Sequence, residues 1–203
     1  MVKKQDRVEF RKEQILQAAT TVFARLGFHK ARMDDIVEEA GLSKGAVYWY
    51  FDSKDEIITT ILDRFFEREL EDFRQISKGD EPIRDRLLKM MRNLSKEIES
   101  IADLMPIIYE FYAVAAREEA IRKTIQGYFN SHTTLLEDLI NAGIDRGEFR
   151  EVSPHDVALS LIALMEGCML IWILGTLDHD QPDLEKLFET SMDLVLEGLI
   201  LEA

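Results

Sequence analysis

The stretch Met33–Lys54, MDDIVEEAGLSKGAVYWYFDSK, leaves few folds open to the chain, because it places two helix signals only a few residues apart. Ile36, Val37 and Ala40 recur at helical spacing, with Asp34, Asp35, Glu38 and Glu39 on the opposite side, which predicts a helix over Met33–Ala40. Gly41 stops it, since a glycine just past a helix end takes the left-handed conformation without steric cost and lets Leu42 fold back onto the core. Ser43 restarts the chain as an N-cap, and Lys44 to Phe51 forms a second helix of about two turns. Two short helices joined this tightly predict a helix-turn-helix.

Tyr48, Trp49 and Tyr50 stand in a row in the second helix. At ~100° per residue they span roughly 200°, so they cannot all enter one core. One reading makes Val47, Tyr50 and Phe51 core, with Tyr48 and Trp49 as ordinary rim. The other makes this a recognition helix. Ser43, Lys44, Gly45 and Ala46 keep its N-terminus small and positive, which suits close approach to phosphates or base edges. Tyr48, Trp49 and Tyr50 then supply hydroxyls and an indole for phosphates and thymine methyls, and Lys54 follows as a phosphate contact. Arg32 reaches a phosphate or lies on the plain surface.

Residues 11 to 56 resemble the N-terminal domain of the tetracycline-repressor (TetR) family: a helix ILQAATTVFARLGF, then DDIVEEAGLSKGAVYWYF, then DSKDEI opening a long helix. The order, spacing and residue types agree over the whole stretch, which is more specific than a lone helix-turn-helix pattern. The resemblance implies an all-α homodimer, with a three-helix DNA-binding head over residues 1–54. A six-helix body over residues 55–203 would dimerise and enclose an effector pocket. It implies a transcriptional regulator, most often a repressor that leaves a pseudo-palindromic double-stranded operator when a small molecule binds. At Arg32 the chain departs from the family pattern, which usually has Ser or Thr there to cap the following helix.

A net charge of −14 argues against a nucleic-acid binder only if it is spread evenly. It is not: residues 1–54 carry ten Lys or Arg against eight Asp or Glu, and residues 55–203 carry fifteen against thirty-one. An acidic body is repelled by DNA, so contact is expected from the head alone. Lys3, Lys4, Arg7, Arg11 and Lys12 form a basic N-terminal segment, either a frayed solvated end or an arm laid along a groove.

The rest of the chain reads as helices, without strand-like alternation or internal repeats. Ile15, Ala18, Ala19, Val22, Phe23 and Leu26 make one face of a helix before the motif. Ser53 and Glu56 form a capping box that opens a long helix to about Ser77, and Gly79, Asp80 and Pro82 mark a break. Helical stripes follow from Ile83 to Ile98, from Pro106 through IIYEFYAVAA, and from about Glu118 to Gly143. The last of these ends in the turn AGIDRGEFR. Ser153 and Pro154 open another helix, and Pro182 opens the last.

Val157–Leu177 is long enough to span a bilayer and has Glu166 as its single charge. A central carboxylate, acidic flanks and no Lys or Arg to set an orientation argue against a membrane span. A helix apolar all round is expected to be buried on all sides, and a second copy of the chain would cover what one body leaves bare. Glu166 must then be paired, protonated or in contact with a wet cavity. One account pairs it with His132, Arg117 or an amide, or exposes it at the dimer seam through a bend at Gly167. The other sets Glu166 among Met91, Met105, Tyr109, Glu110, His132, Met165 and Met169 around a pocket for a bulky apolar, possibly cationic effector.

Cys168 is the only cysteine, so no intramolecular disulfide can form, and the N-terminus lacks an apolar signal region; both point to the cytoplasm. Asp178, His179 and Asp180 read as a solvated loop and not as metal ligands. No phosphate loop, H-E-x-x-H or C-x-x-C occurs, so neither a metal nor a cofactor is expected. Two further classes stay open: a ligand-binding or interaction protein without operator binding, and an all-α enzyme.

Overall fold

Helical periodicity accounts for nearly all of the computed structural model, which describes residues 2–117, 119–175 and 183–200. Nine α-helices occur among the described residues. They are α1 (Val2–Leu26), α2 (Met33–Ala40), α3 (Lys44–Tyr48), α4 (Lys54–Ser77), α5 (Ile83–Ser100), α6 (Met105–Ala115), α7 (Glu119–Asp145), α8 (Pro154–Gly175) and α9 (Leu184–Glu197). A short 3-10 turn, Ala102–Leu104, joins α5 to α6. Asp178, His179, Asp180 and Pro182 lie outside the described residues. The last helix takes its cap from Asp183, whose carboxylate accepts from the Lys186 N–H at 3.0 Å.

The chain packs as two compact units, and they do not divide at residue 54. The first runs to Glu67 and takes in Pro106–Phe111; the second is Arg68–Met105 with the chain from Tyr112 onward. The division falls inside the continuous helices α4 and α6, where sequence periodicity has no break to reveal it.

In the first unit Ile15, Ala19, Val22 and Phe23 of α1 are buried with Ile36 and Ala40 of α2, Val47 of α3 and Phe51. The Gln14 amide donates to the Ala40 carbonyl at 2.7 Å and ties α1 to the end of α2. The basic segment is helical, since α1 already begins at Val2.

The second unit is centred on Leu87, Met90, Met91 and Leu94 of α5, Leu136, Leu139 and Ile140 of α7, Leu161 and Met165 of α8, and Phe188 and Met192 of α9. Glu148, in the turn after α7, accepts from the Ile83 N–H at 2.6 Å and so supplies the cap that Pro82 cannot. Gly143, near the end of α7, is required beside this turn, since a Cβ there would stand 2.3 Å from the Phe149 ring. Phe149 forms an isolated antiparallel bridge with Ile200, which ties the chain after α9 to the turn.

Helix α8 is long and apolar enough to cross a membrane, but its Ala158, Leu161, Met165, Cys168 and Trp172 are buried inside the second unit. It is not buried on all sides. Leu159, Leu170, Ile171 and Leu174 are exposed on the single chain, as is Leu194 of α9.

Candidate nucleic-acid interface and buried polar cluster

The turn between α2 and α3 is built as its residues dictate. Gly41 adopts φ +63°, its N–H donates to the Glu38 carbonyl at 3.1 Å, and the Leu42 N–H donates to Val37. Ser43 Oγ accepts from the Ala46 N–H at 3.2 Å. The α-helix that follows is shorter than the sequence suggests. It ends at Tyr48, although N–H groups of Trp49, Tyr50 and Phe51 still donate back to Gly45 and Val47 and continue the turn. Arg32 has no acceptor with which to cap α2, so Asp35 closes that end by accepting from the Arg32 N–H at 2.8 Å. The Arg32 side chain is exposed.

On α3, Val47 and Phe51 are buried and Tyr50 is half-buried, whereas Tyr48 is 39% and Trp49 70% exposed. Trp49 packs edge-on against Tyr50 at 4.5 Å, which fixes the indole on the outer face. Lys44 is exposed, 2.6 Å from Asp34, and that hydrogen bond raises its pKa. An exposed pair of this kind exchanges readily for a phosphate. A Cβ added at Gly45 would meet nothing, so this side of the helix is open to close approach.

Lys54 differs from its expected role as a phosphate contact. Its ammonium donates to the carbonyls of Phe28 at 2.7 Å, Ala31 at 3.1 Å and His29 at 3.2 Å, and it lies 4.5 Å from the centre of the Phe28 ring. Those carbonyls belong to the loop between α1 and α2, where no helical partner satisfies them. Lys54 therefore closes the loop from within and has no free donor to offer DNA. At the start of α4, Ser53 Oγ accepts from the Glu56 N–H at 3.2 Å, and Glu56 reaches back to the Asp52 N–H at 2.7 Å, one residue beyond the expected box.

The residues expected around an effector are divided between the two units. Tyr109 and Glu110 belong to the first unit, where Glu110 pairs with His29. Met91, Met105, Met165 and Met169 are buried in the second unit. His132 pairs with Glu69 and not with Glu166: its Nε2 lies 3.3 Å from Glu69 Oε1, and both side chains are buried. Tyr128 Oη donates to Glu69 Oε2 at 2.9 Å, and Tyr112 Oη donates to Glu166 Oε1 at 3.2 Å. Glu69, Tyr112 and Tyr128 thus join Glu166 and His132 in one polar cluster drawn from α4, α6, α7 and α8. An open cleft of about 350 Å³ between α4 and α7 is lined by Leu70, Arg74, Ser77, Ser131, Thr134, Leu135 and Asp138, and by none of the eight expected pocket residues or of this cluster.

Burial raises the Glu166 pKa from 4.5 to about 7; the nearby Glu69 charge adds to the effect, and the Tyr112 hydrogen bond opposes it. Between about 4.5 and about 7 the folded protein therefore holds a proton that the unfolded chain releases. Stability attributable to Glu166 falls as pH rises through that window and levels off above it. Glu166→Gln is expected to flatten this part of the curve of melting temperature against pH, and an unchanged curve would remove Glu166 as its source.

A capped two-helix unit with an exposed aromatic face, set at the start of an all-helical chain, is the arrangement of a helix-turn-helix DNA-binding protein. Residues 15–61 match the family described as "Bacterial regulatory proteins, tetR family", and residues 86–185 match "Tetracyclin repressor-like, C-terminal domain". The HTH-type transcriptional regulator YfiR of Bacillus subtilis is 33% identical over 147 residues, covering 71% of this chain and 70% of the relative. A TetR transcription regulator from Haloarcula marismortui superposes with a TM-score of 0.81 at 24% identity, over 95% of this chain and all of the other. SmeT, the repressor of the Stenotrophomonas maltophilia multidrug efflux pump SmeDEF, gives 0.77 at 22% identity over 95% of this chain and 91% of its own. The chain belongs to the TetR family of bacterial transcriptional regulators.

Proposed function

We propose that the chain is a repressor that binds a pseudo-palindromic operator as a homodimer in the cytoplasm and leaves it when a small molecule binds in the second unit. The DNA-binding part rests chiefly on α3, where Val47 and Phe51 hold the helix while Tyr48 and Trp49 stay exposed beside Lys44 and the open Gly45. Such a helix can enter a major groove with its aromatic side outward, and Arg32, Ser43, Ala46 and Tyr50 flank that side. The effector part is supported by the buried polar cluster, and by SmeT, which has been solved in complex with triclosan.

The test is a gel-shift titration against the DNA upstream of the chain's own gene, followed by footprinting. Trp49→Ala is expected to weaken operator binding by about tenfold or more, in line with the ~1–3 kcal/mol of a base-edge contact, with the melting temperature unchanged. Lys54→Met is expected to behave differently. It removes three charge-assisted hydrogen bonds, lowers the melting temperature, and leaves the salt dependence of the remaining binding unaltered, because no phosphate contact is lost. Wild-type affinity in Trp49→Ala, Tyr48→Ala and Lys44→Ala together would rule out α3 as the reading helix.

A further inference from the structure

Residues 33–51, the stretch that has to approach the phosphates, carry one cation, Lys44, against four acids, Asp34, Asp35, Glu38 and Glu39. Duplex DNA bears a negative charge every ~1.7 Å along its axis, so this is a poor balance for a surface that lies against it. Two of the acids are engaged inside the first unit. Asp35 accepts from the Arg32 N–H at 2.8 Å and closes α2, and Glu39 lies 3.2 Å from the Arg25 guanidinium of α1. Lys54, the next cation along the chain, is taken by three loop carbonyls. Within α2 and α3, then, the charge that can meet a phosphate is Lys44, and Asp34 already holds it.

The hold is two-sided. Lys44 Nζ lies 2.6 Å from Asp34 Oδ1 and 5.7 Å from the centre of the Tyr48 ring. The carboxylate stands where a phosphate oxygen would, and the ring keeps the ammonium over the exposed side of α3. The fold asks little of Asp34. It is exposed, and the N-terminus of α2 is closed by its neighbour Asp35, so its structural part is confined to a charge in the first turn.

We propose that Asp34 is a built-in competitor of DNA, an acid that occupies Lys44 in the free protein and has to surrender it before α3 can contact the backbone. The proposal rests on the reading of α3 as the DNA-contacting helix. On binding, the Lys44 ammonium passes from the carboxylate to a phosphate, and Asp34 is left in the field of the DNA. Affinity is therefore lower than the reading helix alone would give. Counterions report the exchange. A phosphate neutralised by Lys44 releases a condensed cation, but the freed Asp34 recruits one, so Lys44 adds little to the salt dependence until Asp34 is removed.

Fluorescence anisotropy of the full chain tests this, with the duplex upstream of its own gene and a random duplex of equal length, each over a series of salt concentrations. Asp34→Asn is expected to fold and to bind the upstream duplex about three- to fivefold tighter at ~0.1 M salt, as release of an exposed pair allows. The slope of log affinity against log salt should steepen by ~0.9 on both duplexes. Glu38→Gln takes the same charge from an exposed position of α2 but leaves Lys44 its partner, so it should change affinity by less than ~1.5-fold and keep the slope. In a Lys44→Met background, the effect of Asp34→Asn should shrink to that of Glu38→Gln. The competitor is overturned by an Asp34→Asn variant that binds no tighter than wild type, by a gain no larger than that of Glu38→Gln, or by a gain that persists without Lys44. Failure of the underlying reading looks different. A wild type that binds both duplexes equally removes the operator, whereas the slope on the random duplex still decides the role of Asp34, because phosphates are common to every sequence.

Discussion

Ile171→Asp is expected to sediment as a monomer at micromolar concentration, to keep its helical content and to lose operator affinity by two orders of magnitude or more. The single chain leaves an apolar stripe on α8, with Leu159 46%, Leu170 43%, Ile171 59% and Leu174 58% exposed. Ala163 and Gly167 fall on the same side at helical spacing, and a Cβ at Gly167 would meet nothing, so a neighbouring helix can approach closely there. On α9, Leu194 is 69% exposed. Apolar surface gathered on two helices and left bare marks an interaction site. A two-fold axis through this surface sets residue 171 near its own symmetry mate, so each Asp is desolvated beside like charge, at a cost of several kcal/mol per ion. Fold is spared because the single chain already exposes this position to water. Operator binding is not spared, since a two-fold protein reads two half-sites and loses the second when the dimer parts. Sedimentation velocity decides the matter: a variant that remains a dimer places the seam elsewhere.

What the sequence reveals about this chain follows the range of the interactions involved. The α2–turn–α3 unit is legible because Gly41, Leu42 and Ser43 act on their own neighbours, and a left-handed glycine or an N-cap is a local device. Asp35 replacing the missing cap at Arg32 is local too, at three residues' distance, but it is masked by the run of acids around it. Lys54 illustrates the opposite case. Its place after the recognition helix suggests a phosphate contact, while its partners are carbonyls 23 to 26 positions earlier, which no spacing rule reaches.

Glu69 sits in ERELED, where it looks like one more solvated acid, yet it occupies the same stripe of α4 as Phe73 and Ile76, both buried. A charge on a buried stripe is a signal, and it identified Glu166, the single charge in an apolar run of sequence. In α4 the acids on the outer face hide it. Glu110 and Tyr112 stand two residues apart on α6, yet Glu110 pairs with His29 in the first unit whereas Tyr112, in the second, donates to Glu166, a difference that helical spacing alone does not reveal.

Phe28→Ala is expected to unfold the first unit at a markedly lower temperature and to abolish operator binding while ligand binding in the second unit persists. Phe28 is buried in the loop after α1, with the Phe23 ring at 5.4 Å, the Phe111 ring edge-on at 5.2 Å and the Lys54 ammonium at 4.5 Å. Truncating a buried phenylalanine costs ~3–5 kcal/mol through lost transfer and the cavity left behind. That is a large share of the ~5–15 kcal/mol that holds an ordinary domain together. The loss extends to Lys54, because the ring and the carbonyls it bonds belong to one loop, and a loop that loosens releases all three. Phe28→Leu keeps most of the volume but gives up the ring face under the ammonium, so it should fall between the wild type and the alanine variant. Calorimetry of the full chain should then resolve two transitions where the wild type shows them closer together, with only the lower one moved by either substitution. A single transition shifted as a whole would mean that the loop supports both units, and the selective loss of DNA binding would not occur.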